Sequence, residues 1–290
     1  MVSSSEPDIL LGLIGAGIQA SRAPAMHQRE AAEHGLRCIY KLIDLQQLGL
    51  GVDALAELLT AAERMGFAGL NITHPCKQAV IPLLTELSDD AKAIGAVNTV
   101  LLRGGRRIGH NTDWSGFAES FRRGLPDATL GRVVQVGAGG AGGAVAYAAA
   151  KLGIGQLTIF DIDPRRSHTL AEATCARFGE GRAVPGTDIA TAIAAADGVI
   201  NATPIGMVGH PGMPVSPDLL RDALWVSDVI YFPLETELLR TARSLGCRTL
   251  DGGGMAVFQA AEAFSLFTNQ TADAARMLRY FAALRSDQQP

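Results

Sequence analysis

The stretch from Arg132 to Asp163 limits what this chain can fold into more than any other. Val133, Val134, Gln135 and Val136 make a short β-branched run, the composition of a strand buried on both faces. The glycine-rich segment Gly137-Ala138-Gly139-Gly140-Ala141-Gly142-Gly143 follows at once. Residues 144–152 are Ala-rich and nearly free of polar groups, which predicts a helix packed closely on a sheet. Residues 156–160 read as a second strand, and it ends on Asp161. Gly137, Gly139 and Gly142 fit G-x-G-x-x-G, with an acid about 20 residues further on. Such a unit needs a tight turn, close backbone approach to a pyrophosphate, close helix–strand contact, and free N–H groups at a helix start. Asp161 can accept hydrogen bonds from ribose hydroxyls, and it would repel a 2′-phosphate. A glycine pattern alone is weak; with strands, helix and acid in place it predicts an NAD-binding unit.

At 290 residues, 48% of them hydrophobic, the chain has material for two domains and a sizeable core. A net charge of −4 gives no electrostatic case for nucleic acid or an anionic membrane. The arginine pairs Arg106-Arg107, Arg122-Arg123 and Arg165-Arg166 sit among acids or apolar residues and read as solvated faces. Cys38, Cys76, Cys175 and Cys247 are widely spaced, which favours reduced thiols in a cytoplasmic protein over disulfides or zinc. The histidines do not cluster, so no metal is expected. Residues 1–8 are polar with no apolar signal core, and no stretch approaches the roughly 18 continuous apolar residues of a membrane span. The expectation is a soluble, cytoplasmic monomer or homodimer with a small-molecule substrate.

Taken in order, residues 10–14 look like a buried strand ended by Gly15. Gly15-Ala16-Gly17-Ile18-Gln19 resembles a second dinucleotide loop, but Asp44 lies too far on to serve it. The loop is read instead as a substrate-side turn with Ser21 exposed at its tip. Helices are expected over 24–33, 52–65, 77–87 (with Pro82 able to kink or divide it) and 114–123. Strands are expected over 38–45 and 67–72. Residues 97–102 and 106–110 flank Gly104-Gly105 as a hairpin. Beyond the glycine-rich turn, strands are expected at 156–160, 198–201, 226–231 and 248–250. Amphipathic helices follow at 255–267 and 272–284. The fold class is therefore α/β: two α/β domains, one a Rossmann-type nucleotide-binding domain, with a cleft between them.

Three segments place polar residues where strands should meet loops: 71–77, 95–99 and 109–113. A lysine and an aspartate on neighbouring loops can form a proton-transferring pair. Taken singly, Lys77 fits a solvated lysine at a helix start, Asp113 an N-cap and Asn98 a turn former. Spacing alone favours those plain readings.

Ten features change the weights: Gly12-Leu13-Ile14-Gly15, Ser21-Arg22-Ala23-Pro24-Ala25-Met26-His27, residues 71–77, 95–99, 109–113 and 137–144, Asn201-Ala202-Thr203-Pro204-Ile205-Gly206-Met207, residues 228–236, Met255 and Gln259. In this order they resemble the shikimate dehydrogenase family over nearly the whole chain, from about Leu11 to Phe267. Within it the resemblance is strongest to NAD-dependent quinate/shikimate dehydrogenases. It implies hydride transfer at ring carbon 3 of a cyclohexane or cyclohexene carboxylate, with Lys77 and Asp113 as the catalytic pair. Ser21, Thr73, Asn98, Tyr231 and Gln259 would bind the substrate's carboxylate and hydroxyls. Gly137, Gly139, Gly140, Ala141 and Gly142 would meet the pyrophosphate, and Asn201, Thr203, Met207 and Met255 the ribose and nicotinamide. It also implies a substrate domain over 1–116, an NAD-binding domain over 117–254, and C-terminal helices 255–290 that complete the first.

NADP-preferring members of that family usually carry Asn-Arg-Thr after the second strand of the nucleotide unit. This chain has Asp161-Ile162-Asp163, a poor phosphate site, so charge points to NAD. Arg165 and Arg166 come slightly later and can stack on adenine or reach a phosphate. Ala23 stands where the family usually has a second hydroxyl, and Cys76 replaces a common aromatic. Two other functions stay open: a dehydrogenase of a related ring acid such as an aminoshikimate, and a regulator that binds NAD and a ring acid without turnover. Retention of both Lys77 and Asp113 argues against the regulator.

Overall fold

The computed structural model describes residues 8–286, so all but the last residue of the polar stretch 1–8 lies outside the described residues. By internal contacts the chain divides into two compact units. One runs to Thr112 and resumes at Gln259; the other is Asp113–Phe258.

The first unit is built on six strands: β1 (Asp8–Gly15), β2 (Arg37–Asp44), β3 (Gly69–Ile72), β4 (Glu86–Leu87), β5 (Thr99–Arg103) and β6 (Arg106–His110). Their order is β2-β1-β3-β5-β6-β4. β1, β2 and β3 are parallel, while β5 runs antiparallel to β3 and to β6. The Gly104-Gly105 hairpin forms as expected, with both glycines at positive φ. Helices α1 (Ala23–Glu33), α2 (Leu45–Leu48), α3 (Leu55–Arg64), α4 (Cys76–Ala79) and α5 (Asp89–Ile94) connect the strands.

The long helix expected over 77–87 does not form. α4 stops at Ala79, a single 3-10 turn spans Ile81–Leu83, and Glu86–Leu87 joins the sheet beside β6. Pro82 lacks an N–H and crowds the preceding turn, so it ends the helix rather than kinking it. Just beyond it lies α5, a helix the periodicity missed. Its caps were in the sequence: Ser88 Oγ accepts the Ala91 N–H at 3.2 Å, Asp89 and Asp90 fill the first turn, and Gly95 closes it at φ 68°.

The second unit holds an all-parallel sheet of β7 (Arg132–Val136), β8 (Gln156–Phe160), β9 (Ala183–Pro185), β10 (Gly198–Asn201), β11 (Trp225–Asp228) and β12 (Arg248–Leu250). The order β12-β11-β10-β7-β8-β9 is doubly wound, and its direction reverses between β7 and β10. Around it lie α6 (Asp113–Gly124), α7 (Gly140–Leu152), α8 (Pro164–Phe178), α9 (Ile189–Ala194) and α10 (Glu237–Ser244). Ala144, Ala146, Ala148 and Ala149 of α7 are fully buried, so the small side chains let helix and sheet approach closely. The strand expected over 226–231 ends at Asp228. There the Asp228 carboxylate takes the Ile230 N–H at 3.0 Å and turns the chain off the sheet. Strand β9, three residues long, went unpredicted.

α11 (Gly253–Thr268) begins in the second unit and ends in the first; α12 (Ala274–Ser286) belongs to the first. α12 is clasped to α1 through Glu30, whose fully buried carboxylate takes Arg276 Nη2 at 2.7 Å and Nε at 3.0 Å. The Asp273 N–H adds a third donor at 2.7 Å. Removing one partner of such a pair costs about 3–5 kcal/mol, because the other charge is left buried. Among the described residues no helix is long and apolar enough to cross a membrane.

Candidate functional site

The nucleotide turn sits where the second sheet reverses its winding. Gly137 adopts φ 105°, and a Cβ there would meet the Ala202 carbonyl at 2.7 Å and Thr203 Cγ2 at 2.9 Å. The turn after β7 is thus packed against the turn after β10. At Gly142 a Cβ would collide with the Gly137 carbonyl oxygen, so α7 can rest on its own turn only without a side chain there. Gly139 is the N-cap, and a Cβ on it would meet nothing within 4 Å. It supplies no side-chain cap, leaving the first N–H groups of a 13-residue helix at Gly140, Ala141 and Gly142 for an anion. Gln135, fully buried in β7, donates Nε2 to the carbonyls of Gly137 and Gly142, each at 2.9 Å. This polar staple lay inside an apolar strand pattern, where the only signal was one Gln among valines.

Asp161 Oδ2 accepts the Ala138 N–H at 2.7 Å, and Oδ1 accepts the Asp163 N–H at 3.0 Å. The carboxylate is therefore anchored on the glycine turn. Asp163 caps α8 and holds Arg165 through Nε and Nη2, both at 3.0 Å. Arg166 is exposed, and its backbone N–H donates to the Asp163 carbonyl at 2.9 Å. Around the β10 turn, Asn201 Oδ1 accepts the Thr203 N–H at 3.0 Å and its hydroxyl at 2.7 Å. Asn201 Nδ2 donates to the Ile205 carbonyl and to Asp228 Oδ1, each at 3.1 Å. Asp228 also takes the Thr236 hydroxyl at 2.8 Å, and burial pushes its pKa up to about 6. It ties the loops after β10 and β11 together, a role no local spacing announces. Met207 and Tyr231 lie on those loops and are substantially exposed, while Met255 is buried in the core. A turn, an uncapped helix start and an anchored acid in this arrangement fit a dinucleotide.

In the first unit the polar segments gather at one end of strands β3, β5 and β6. The Ile72 N–H donates to the Asn98 carbonyl at 2.8 Å, Val97 N–H to the Lys77 carbonyl at 2.8 Å, and Asn98 N–H to the His110 carbonyl at 3.1 Å. Segments 71–77 and 95–99 and residues 109–112 of the third meet there. Asn98 is buried; its Oδ1 accepts the Thr112 N–H at 2.8 Å, and its Nδ2 donates to Thr112 Oγ1 at 2.9 Å and Gln259 Oε1 at 3.3 Å. Behind it Asn71 donates to Thr99 Oγ1 at 3.1 Å and accepts the Tyr40 hydroxyl at 2.8 Å. Thr73 and Lys77, just past the end of β3, are half-buried. Ser21 is half-buried rather than exposed at a tip, and its Oγ accepts the Ala23 N–H at 3.3 Å as α1 begins. Asp113, buried, opens α6 as the first residue of the second unit. Among the described residues no cluster of His, Cys, Asp or Glu could hold a metal.

A doubly wound sheet with this turn, joined in one chain to a mixed sheet edged with polar loops, defines a two-domain dinucleotide-dependent α/β protein. Residues 13–100 match the family model for the shikimate dehydrogenase substrate binding domain. The chain belongs to the shikimate dehydrogenase family and is an oxidoreductase of the shikimate/quinate dehydrogenase type with a nicotinamide cofactor. It is 55% identical over 97% of its length to a shikimate dehydrogenase (NADP(+)) of Streptomyces avermitilis, covering 97% of that protein. It is 52% identical to a quinate/shikimate dehydrogenase (NAD(+)) of Corynebacterium efficiens, covering 95% of this chain and 98% of the relative. A quinate dehydrogenase from Corynebacterium glutamicum, solved in complex with NAD, superposes with a TM-score of 0.89 at 49% identity. That match covers 95% of this chain and 99% of the other.

Proposed function

We propose that this protein catalyses reversible hydride transfer between NAD and ring carbon 3 of quinate or shikimate. The observation that carries the choice of NAD is the Asp161 carboxylate, fixed on the glycine turn by the Ala138 N–H at 2.7 Å. A carboxylate held there accepts hydrogen bonds from ribose hydroxyls and opposes a 2′-phosphate. Arg165 brings little compensating charge, because Asp163 already holds its guanidinium. The relatives include both NADP(+) and NAD(+) enzymes, so the charge at this turn is the argument that separates them.

Bound NAD supplies the two-electron acceptor. Gly137, Gly139, Gly140, Ala141 and Gly142 receive the pyrophosphate at the helix start, and Asn201, Thr203, Met207 and Met255 shape the pocket for ribose and nicotinamide. Ser21, Thr73, Asn98, Tyr231 and Gln259 bind the ring acid's carboxylate and hydroxyls. Lys77 takes the proton of the reacting hydroxyl and returns it in reverse, while Asp113 orients the lysine and favours its charged form. A hydride leaves a carbon readily only as its oxygen loses the proton, so proton transfer by Lys77 is the protein's part of the step.

The test is a matrix of initial rates, read as the absorbance of reduced nicotinamide, with NAD or NADP against quinate, shikimate and an amino-substituted shikimate. NAD is expected to exceed NADP by about tenfold or more in kcat/KM, the scale of one lost charge-assisted contact. A preference for NADP would overturn the cofactor reading. Turnover of the amino acid alone would move the substrate to the related ring acid, and binding without turnover of any pair would point to a regulator.

A further inference from the structure

Asp44 closes β2 and is 3% exposed. Its Oδ1 accepts the N–H groups of Gly17 at 2.9 Å and Gln46 at 3.1 Å. Its Oδ2 accepts the Ile18 N–H at 3.1 Å and the Gln19 side-chain amide at 2.9 Å. Burial works against the charged carboxylate, yet these donors outweigh it and hold the group below the usual carboxylate range. Three of the four donors come from the turn after β1, the glycine-containing turn that resembles a nucleotide loop.

That turn leads directly into Ser21. Gly17 takes φ 66°, and the Ser21 N–H donates to the Ile18 carbonyl at 2.9 Å. On its other side the Ala16 N–H donates to the His74 carbonyl at 3.0 Å, and the Thr73 N–H donates to the Ile14 carbonyl at 2.9 Å. The turn is thus clamped between the ends of β2 and β3, the two neighbours of β1 in the sheet. One jaw is the backbone beside Thr73. The other is the Asp44 side chain.

We propose that Asp44 is a positioning residue for substrate binding, its buried carboxylate fixing the turn over residues 15–21 in the shape that presents Ser21 to the ring acid's carboxylate. The proposal rests on the reading of Ser21 given above. An ionised carboxylate suits that role because it is acceptor-only on both oxygens. In either orientation an amide would turn its NH2 toward a backbone N–H, those of Gly17 and Gln46 or that of Ile18.

Asp44→Asn therefore splits the kinetic constants. KM for the ring acid is expected to rise about tenfold, with kcat and the KM for NAD changed by no more than about twofold, since binding lost equally in ground and transition states appears in KM. Ser21→Ala is expected to raise the same KM, and adding Asp44→Asn to it should change little further, because coupled residues are not additive. If Ser21→Ala leaves KM unchanged, the assignment of Ser21 is wrong. If Ser21→Ala raises KM but Asp44→Asn does not, or adds its full factor in the double variant, Asp44 does not act through Ser21. A uniform loss of kcat and of both KM values with a lowered Tm would make Asp44 a fold residue only, and the proposal would fall. Should Asp44→Asn not fold, Gln19→Ala removes one donor and spares the backbone. About a threefold rise in ring-acid KM is expected from that smaller loss, and no rise would overturn the proposal.

Discussion

Lys77 sits at the polar end of the first sheet, its carbonyl bound by the Val97 N–H, so the backbone under the proposed general acid–base is held. Lys77→Ala should lower kcat by about a hundredfold or more, the scale of losing a general acid–base, and leave NAD affinity intact. Single-turnover rates alongside a cofactor titration check both halves, and near-normal turnover would remove Lys77 from the mechanism. Asp161→Ala should weaken NAD and improve the relative use of NADP, by removing both the ribose acceptor and the repulsion. An unchanged ratio of the two KM values would mean that Asp161 does not face the ribose. Ala23 is the first residue of α1, and its N–H is already taken by Ser21 Oγ. Ala23→Thr adds a hydroxyl beside Ser21 without removing that bond, so KM for shikimate should fall with kcat little changed. A rise would show that Ala23 makes room for a differently substituted acid.

At the scale of elements, the contact between the β7 turn and α7 is an exacting joint in the nucleotide unit. Two glycines there separate shape from flexibility. A Cβ at Gly142 collides with the Gly137 carbonyl oxygen, whereas one at Gly139 meets nothing within 4 Å and φ there is −79°. Gly142→Ala should therefore cost about 1–3 kcal/mol and raise KM for NAD, because the helix start must move off its turn. Gly139→Ala should leave the melting temperature nearly unchanged. Paired thermal melts decide it, and equal destabilisation would mean that backbone freedom, not close approach, is what the glycines provide. Elements also show where local reading failed. Pro82 lay inside a helical Leu pattern and overrode it, while the Ser88 cap and Gly95 stop were written in the sequence for a helix too short to show a period.

Across the whole molecule, two buried groups make the units respond oppositely to acid. His27 in the first unit is 1% exposed and stacked 5.0 Å from Tyr40, and its Nδ1 finds no hydrogen-bond partner among the described residues. Burial lowers its pKa from 6.5 to about 3. The unfolded chain binds the proton below 6.5 while the folded one does not, so this contribution is present above that pH. It is lost as pH falls toward 3, at up to about 1.4 kcal/mol per pH unit. Asp228 in the second unit has its pKa raised by burial from 3.8 to about 6. Its contribution is full below 3.8 and lost as pH rises through about 6. Acidification from about pH 7 to 5 should therefore speed amide exchange in the core of the first unit relative to the second. His27→Phe, which keeps an aromatic against Tyr40, should shrink the difference to the part that Asp228 contributes; an unaltered difference would rule out His27 as a source.

The sequence by itself determined the strand–turn–helix–strand–acid unit, the hairpin and the motifs of the family. Turn glycines, caps and hydrophobic periods act between residues a few positions apart, so adjacency records them. The carboxylate at Asp161 was legible for the same reason: it ends the strand next to the turn that it serves. Tertiary structure alone decided what Gln135, Asp228 and Asp44 do. Asp44 was too far along the chain to complete a nucleotide loop after Gly15, yet it is the side chain that holds that turn. The reason is sheet order. β2 lies beside β1, so the end of one strand faces the turn leaving the other, and a buried carboxylate binds whichever N–H groups its neighbour strand delivers.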